Sequence, residues 1–203
     1  SYGEGLVLVN KISISLYEQG IGANDVVAVY ADKSTQAVLV FLALSRLGAC
    51  CLTLDTAFPA SMIDYVLESA SVKLVVSLKE FPCHPSRPML NWEKLTAHGN
   101  EINHDITYTG NHLAWLVYSS GTTGKPKGVK ITSEAMVGSK LARAQFSGYL
   151  SSDKVACNIY FYWEVFRPLM FGACSVVVSD LMLFDLEAYQ QFIASQSIDE
   201  TLW

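Results

Sequence analysis

Between a short apolar run and a basic segment the chain reads Tyr118-Ser119-Ser120-Gly121-Thr122-Thr123-Gly124-Lys125-Pro126-Lys127-Gly128-Val129. Ser119, Ser120, Thr122 and Thr123 carry hydroxyls that can donate to oxyanions, and Lys125 and Lys127 add positive charge. Gly121, Gly124 and Gly128 are expected to permit positive φ and close approach of a ligand to the main chain. Successive backbone N–H groups flanked by hydroxyls and ammonium groups make a cradle for a polyphosphate. Composition alone describes a solvated surface loop just as well; the order of the residues is what argues for the cradle.

Two other phosphate patterns do not fit. A Walker loop requires Ser or Thr directly after Gly-Lys, whereas Pro126 follows Gly124-Lys125. No G-x-G-x-x-G occurs either. Net charge is −5 and the 14 Lys and Arg are scattered apart from Lys125, Lys127 and Lys130, so a small anion is expected as ligand rather than nucleic acid. The five cysteines are Cys50, Cys51, Cys83, Cys157 and Cys174, without a C-x-x-C. Cys50, Cys51, Cys157 and Cys174 lie among apolar residues as small hydrophobes, which predicts a reducing, cytoplasmic compartment. Cys83-His84, with His98, His104 and His112, matches no zinc spacing, and no metal ligands are assigned. Apolar residues reach 51%, yet the apolar uncharged stretches 34–45 and 168–179 fall well short of the roughly 20 residues of a membrane helix. No membrane span or secretory leader is expected.

The elements that must hold the loop alternate. Helical spacing of Leu6, Val9, Ile12, Leu16 and Tyr17 ends at Gly20; residues 26–31 form a short apolar strand; 34–47 form an apolar helix closed by Gly48; 49–54 are a second strand. Pro59 opens a helix to about residue 71, and 73–78 form a third strand. This order predicts an α/β fold of mostly parallel sheets flanked by helices. Residues 79–111 read as an irregular connection with a short helix near 92–96 and hidden short strands. Residues 113–118 form a strand, 119–128 the loop, and Thr132 or Ser133 caps a helix to about 146. Strands are expected at 155–162, 175–179 and 198–203, and helices at 163–171 and 185–196. The chain lacks an initiator Met and stops inside a strand pattern, so a piece of a longer domain is expected.

The run from Ser119 to Val129 resembles the phosphate loop of the adenylate-forming superfamily, which includes acyl-CoA synthetases, luciferases and peptide-synthetase adenylation domains. Two further segments are similar to that family: Phe41-Leu42-Ala43-Leu44-Ser45-Arg46-Leu47-Gly48-Ala49 through Asp55 with Phe58-Pro59, and Trp163-Glu164-Val165-Phe166-Arg167-Pro168-Leu169-Met170-Phe171-Gly172-Ala173. The resemblance is closest to adenylation domains of nonribosomal peptide synthetases and carboxylate reductases. It implies that residues 1–203 are part of a large N-terminal domain whose C-terminal subdomain is absent.

By the resemblance, a carboxylic acid attacks the α-phosphorus of ATP with Mg2+, pyrophosphate leaves, and the acyl-adenylate passes to a phosphopantetheine carrier or CoA. Thr122, Thr123 and Lys127 are implied as catalytic phosphate contacts, within a binding loop of Ser119, Ser120, Gly121, Thr122, Thr123, Gly124, Lys125, Lys127 and Gly128. Tyr160, Phe161, Tyr162 and Trp163 are assigned to the substrate pocket, although for the first three the sequence favours a place as sheet-core aromatics. Ser133 stands where the family usually has His, and no Asp occupies the place that holds an amino acid's ammonium. A β-amino acid, aryl acid or other carboxylate thus fits as well as an α-amino acid. Partners implied are a small carboxylic acid and a carrier domain, with neither nucleic acid nor membrane. The alternative is an inactive relic that keeps only phosphate or partner binding, and weak activity at most is expected of these residues alone.

Overall fold

Short apolar runs separated by helices build the first sheet. The computed structural model describes residues 1–83, 86–97, 112–119, 126–157 and 164–201. It divides into two units, Ser1–Asp32 with Leu39–Ala135, and Lys33–Val38 with Met136–Trp203.

In chain order the first elements are α1 (Tyr2–Glu18), β1 (Val26–Tyr30), α2 (Thr35–Arg46), β2 (Cys50–Leu54), α3 (Ala60–Ser69) and β3 (Leu74–Ser77). They are followed by β4 (Met89–Leu90), α4 (Trp92–Thr96), β5 (Leu113–Ser119) and β6 (Lys127–Thr132). The sheet order is β4-β3-β1-β2-β5-β6, parallel except for the last pair. Every residue of β1 beyond Val26 and all of β3 are buried, as expected of strands covered on both faces. Ile63, Val66 and Leu67 of α3 pack on Ala28, Leu52 and Val75. Phe41 of α2 meets Trp115 of β5 at 4.7 Å between ring centres. Gly20 and Gly48 take φ of 74° and 66°, the left-handed turns that stop α1 and α2. The buried hydroxyls of α1 are satisfied: Ser13 donates to the carbonyl of Val9 and Ser15 to that of Leu95, each at 2.8 Å.

The alternating α/β order expected from the sequence is present, and β4 is a short strand hidden in the irregular connection. One element differs. Residues 127–132, read as loop end and cap, form β6 antiparallel to β5. Lys127, Gly128, Val129 and Lys130 are exposed on this sheet edge, so no apolar alternation marks the strand. Charged side chains on an edge strand also discourage pairing with other chains.

The second unit holds most of α5 (Ser133–Ala144), then β7 (Lys154–Cys157), α6 (Phe166–Leu169), β8 (Cys174–Val177), α7 (Asp180–Leu183), α8 (Leu186–Gln196) and β9 (Glu200–Thr201). Its three strands are parallel in the order β8-β7-β9. Tyr189 of α8 packs with Ala156 and Val178. The Asp185 carboxylate caps α8 by accepting from the Ala188 N–H at 3.0 Å. Within the expected helix 163–171, Glu164 and the turn at α6 are helical among the described residues, and α7 was not foreseen. Cys174, expected among the buried hydrophobes, is exposed; Cys50, Cys51 and Cys157 are buried. Among the described residues no helix is long and apolar enough to cross a membrane.

Candidate functional site

Strands β5 and β2 run parallel, with Cys51 opposite Trp115 and Leu52 opposite Leu116. Both therefore finish on the edge where β1 and β3 also finish. Ligands of open α/β sheets bind outside that carboxyl edge. The hydroxyl-rich segment departs from there. Ser119 pairs with Lys127 as the last rung of the β5–β6 ladder, which brings together the residues on either side of the hydroxyl-rich segment.

Of the residues assigned from the sequence, Ser119 ends β5, and Lys127 and Gly128 begin β6, with Lys127 exposed. Ser120, Gly121, Thr122, Thr123, Gly124 and Lys125 lie outside the described residues, as do Tyr160, Phe161, Tyr162 and Trp163. The reason for Gly128 differs from the sequence expectation. It is not among the glycines of positive φ. A Cβ there would stand 3.1 Å from Leu116 Cδ1 and 3.2 Å from Tyr118 Cζ, so its smallness admits the Tyr118 ring directly across the ladder. That ring is anchored in turn: its hydroxyl lies 2.8 Å from Ser69 Oγ.

Along the same carboxyl edge, where β1, β2 and β3 end, lies a polar cluster that sequence reading missed. Asp32 follows β1, Asp55 and Thr56 follow β2, and Lys79 lies just beyond β3. Thr56 Oγ1 donates to Asp32 Oδ1 at 2.9 Å, and Lys79 Nζ pairs with Asp32 Oδ2 at 2.7 Å. The Asp55 carboxylate accepts from the Ala57 N–H at 2.8 Å. The hydrogen bond from Lys79 holds the Asp32 carboxyl below the usual range, and the same bond raises Lys79. The signal was present in the sequence as polar residues closing each apolar strand. Lys130, on β6, acts on the Cys50 thiol, but burial dominates and pushes that thiol up to about 12. Among the described residues no group of three or more His, Cys, Asp or Glu is placed to hold a metal. Cys83 Sγ faces Asp64 Oδ1 at 3.7 Å.

The described residues thus place Ser119 and exposed Lys127 side by side at the carboxyl end of β5. The sequence profile described as AMP-binding enzyme matches residues 1–199. The chain belongs to that family. Glycine betaine reductase ATRR of Emericella nidulans is 33% identical over 201 residues, covering 96% of this chain and 16% of that protein. Tyrocidine synthase 2 of Brevibacillus parabrevis is 27% identical over 197 residues, 93% of this chain and 6% of that one. The chain thus spans a small part of the curated relatives it matches. Among solved structures, o-succinylbenzoate CoA synthetase (MenE) of Bacillus subtilis, in complex with AMP, aligns with a TM-score of 0.86 at 19% identity. That alignment covers 99% of this chain and 54% of the synthetase chain. At such identity the likeness establishes the fold, the mixed α/β architecture of the N-terminal domain of adenylate-forming enzymes.

Proposed function

We propose that this AMP-binding family chain contributes the triphosphate grip of an enzyme that activates a carboxylic acid as its acyl-adenylate. The observation that supports the reading is the Ser119–Lys127 rung, which sets the residues on either side of the hydroxyl-rich segment at the carboxyl end of β5. Thr122, Thr123 and Lys127 are assigned to the β- and γ-phosphates, with the N–H groups of Gly121 and Gly124 beside them. Their work is to orient the triphosphate and stabilise the charge that accumulates on departing pyrophosphate. Exposed Lys127 fits that task, since its ammonium is available to a ligand at the loop's foot. Mg2+, when bound, supplies further charge neutralisation on the phosphates.

Residues 1–203 are read as part of the large domain, with the acceptor thiol on a phosphopantetheine carrier or CoA and a cytoplasmic setting. For the substrate, the run Tyr160-Phe161-Tyr162-Trp163 and the 33% identical betaine reductase favour a carboxylate bearing a quaternary ammonium, which aromatic faces hold by cation–π attraction. The other reading, an inactive relic, draws on Ser133 in place of the family's His. ATP–pyrophosphate exchange with a panel including glycine betaine, on the chain joined to the remainder of a family domain, separates the two. Exchange that depends on one acid and is lost in Lys127→Ala supports the enzyme; no exchange with any acid supports the relic.

A further inference from the structure

Met182 and Leu183 of α7, with Phe192 and Ile193 of α8, pack on Ala156, Val178 and Tyr189 in the second unit. That core leaves out Leu181, Phe184 and Leu186, which are 84%, 89% and 61% exposed. The backbone holds the turn that carries them. The Phe184 N–H donates to the Leu181 carbonyl at 3.3 Å, the Asp185 N–H to that of Met182 at 3.2 Å, and the Tyr189 N–H to that of Asp185 at 2.9 Å. Asp180, at the start of α7, pairs with Lys33 of the same unit. Single exposed apolar residues need no explanation, but three large ones on one turn form a patch of the kind that marks an interaction site.

The surrounding charge decides what kind of partner fits. Residues 168–203 contain no Lys, Arg or His, while their acids are Asp180, Asp185, Glu187, Asp199 and Glu200. Asp199 and Glu200 are engaged at the sheet, accepting from the Lys154 N–H at 2.8 Å and the Tyr149 hydroxyl at 3.1 Å. Asp185 and Glu187 alternate with the apolar side chains and are exposed like them. Asp185 caps α8 and Glu187 accepts from the Gln191 amide at 3.3 Å, so neither is neutralised by those neighbours.

A two-fold contact with a second copy would bring these acids face to face. Three side chains also offer only on the order of a few hundred Å2, where a stable pair buries about 800 Å2 per partner. Anionic lipid headgroups would be repelled by the same acids. A short cationic helix meets both features: its apolar stripe covers Leu181, Phe184 and Leu186, and its Lys or Arg side chains face Asp185 and Glu187. We propose that the turn from α7 to α8 docks a basic amphipathic helix of another protein. The surface lies within the second unit and does not depend on the phosphate loop.

The test is fluorescence anisotropy of a labelled helical peptide of Leu and Lys, with Leu at i, i+3, i+4 and i+7, titrated with the whole chain, beside the same peptide with Glu in place of Lys. The Lys peptide is expected to bind, more weakly as salt rises, and the Glu peptide not to bind. Phe184→Ser should weaken binding tenfold or more and Glu187→Gln severalfold, with urea midpoints unchanged because both side chains are exposed. Amide NMR shifts should fall on residues 180–190. No binding of the Lys peptide, equal binding by Phe184→Ser, or equal binding of the Glu peptide overturns the proposal. Self-association in sedimentation velocity, or binding to phosphatidylcholine–phosphatidylserine vesicles, overturns it if Phe184→Ser abolishes either, since a second copy or a lipid surface is then the cover. Loss of peptide binding once the chain is joined to the remainder of a family domain overturns it too, and assigns the turn to contacts within that domain.

Discussion

Replacing Gly128 by Ala tests why the loop's second foot is glycine. Ordinary carbon contacts begin near 3.5 Å. The new methyl would sit 3.1 Å from Leu116 Cδ1 and 3.2 and 3.3 Å from two ring atoms of Tyr118. Neither neighbour retreats easily: Leu116 is 5% exposed, and Tyr118 is held by Ser69. Overpacking costs about 1–3 kcal/mol. Removing glycine from a strand returns about 0.5–1 kcal/mol. The net expectation is a loss of about 1 kcal/mol, larger for Gly128→Val. Urea unfolding followed by tryptophan fluorescence reads it, in wild-type and Tyr118→Ala backgrounds. The loss should shrink or reverse once the ring is gone, giving a coupling of about 1 kcal/mol. A neutral Gly128→Ala, or the same loss in both backgrounds, refutes the steric account.

Phe41→Ala should cost about 3–5 kcal/mol, since Phe41 is 1% exposed and packs on Trp115; the change in urea midpoint measures it. Alkylation by iodoacetamide at pH 8, followed by mass spectrometry, should label exposed Cys174 first, while Cys50 and Cys157, buried with thiols at about 12, react only on unfolding. The Asp32–Lys79 pair adds under about 1 kcal/mol, being exposed. Asp32 is lowered and Lys79 raised. The Asp32 part is therefore lost as pH falls through its lowered value, and the Lys79 part as pH rises through its raised value. Asp32→Asn should flatten the acid limb of a stability–pH curve; an unchanged limb counts against the pair.

Much of the first sheet was legible because its strands are dense apolar runs, as in Val26–Tyr30 and Leu74–Ser77, and because glycines such as Gly48 punctuate the helices. Strand β6 was not, since Lys-Gly-Val-Lys on an exposed edge carries neither alternation nor an apolar run. Cys174 misled for a related reason: apolar sequence neighbours do not bury a side chain at the edge of a three-stranded sheet. The family was readable from residue order, whereas the Asp32–Thr56–Lys79 cluster joins residues distant in sequence. Such pairings become visible only once the chain is folded.

The central assignment is that residues 119–128 hold the tail of a nucleoside triphosphate. Backbone NMR of the chain titrated with Mg·ATP and with Mg·tripolyphosphate addresses it directly. The amides from Ser119 to Gly128 should shift with both ligands, and Lys127→Ala should weaken both alike. Shifts confined to other residues, or undiminished binding by Lys127→Ala, would contradict it.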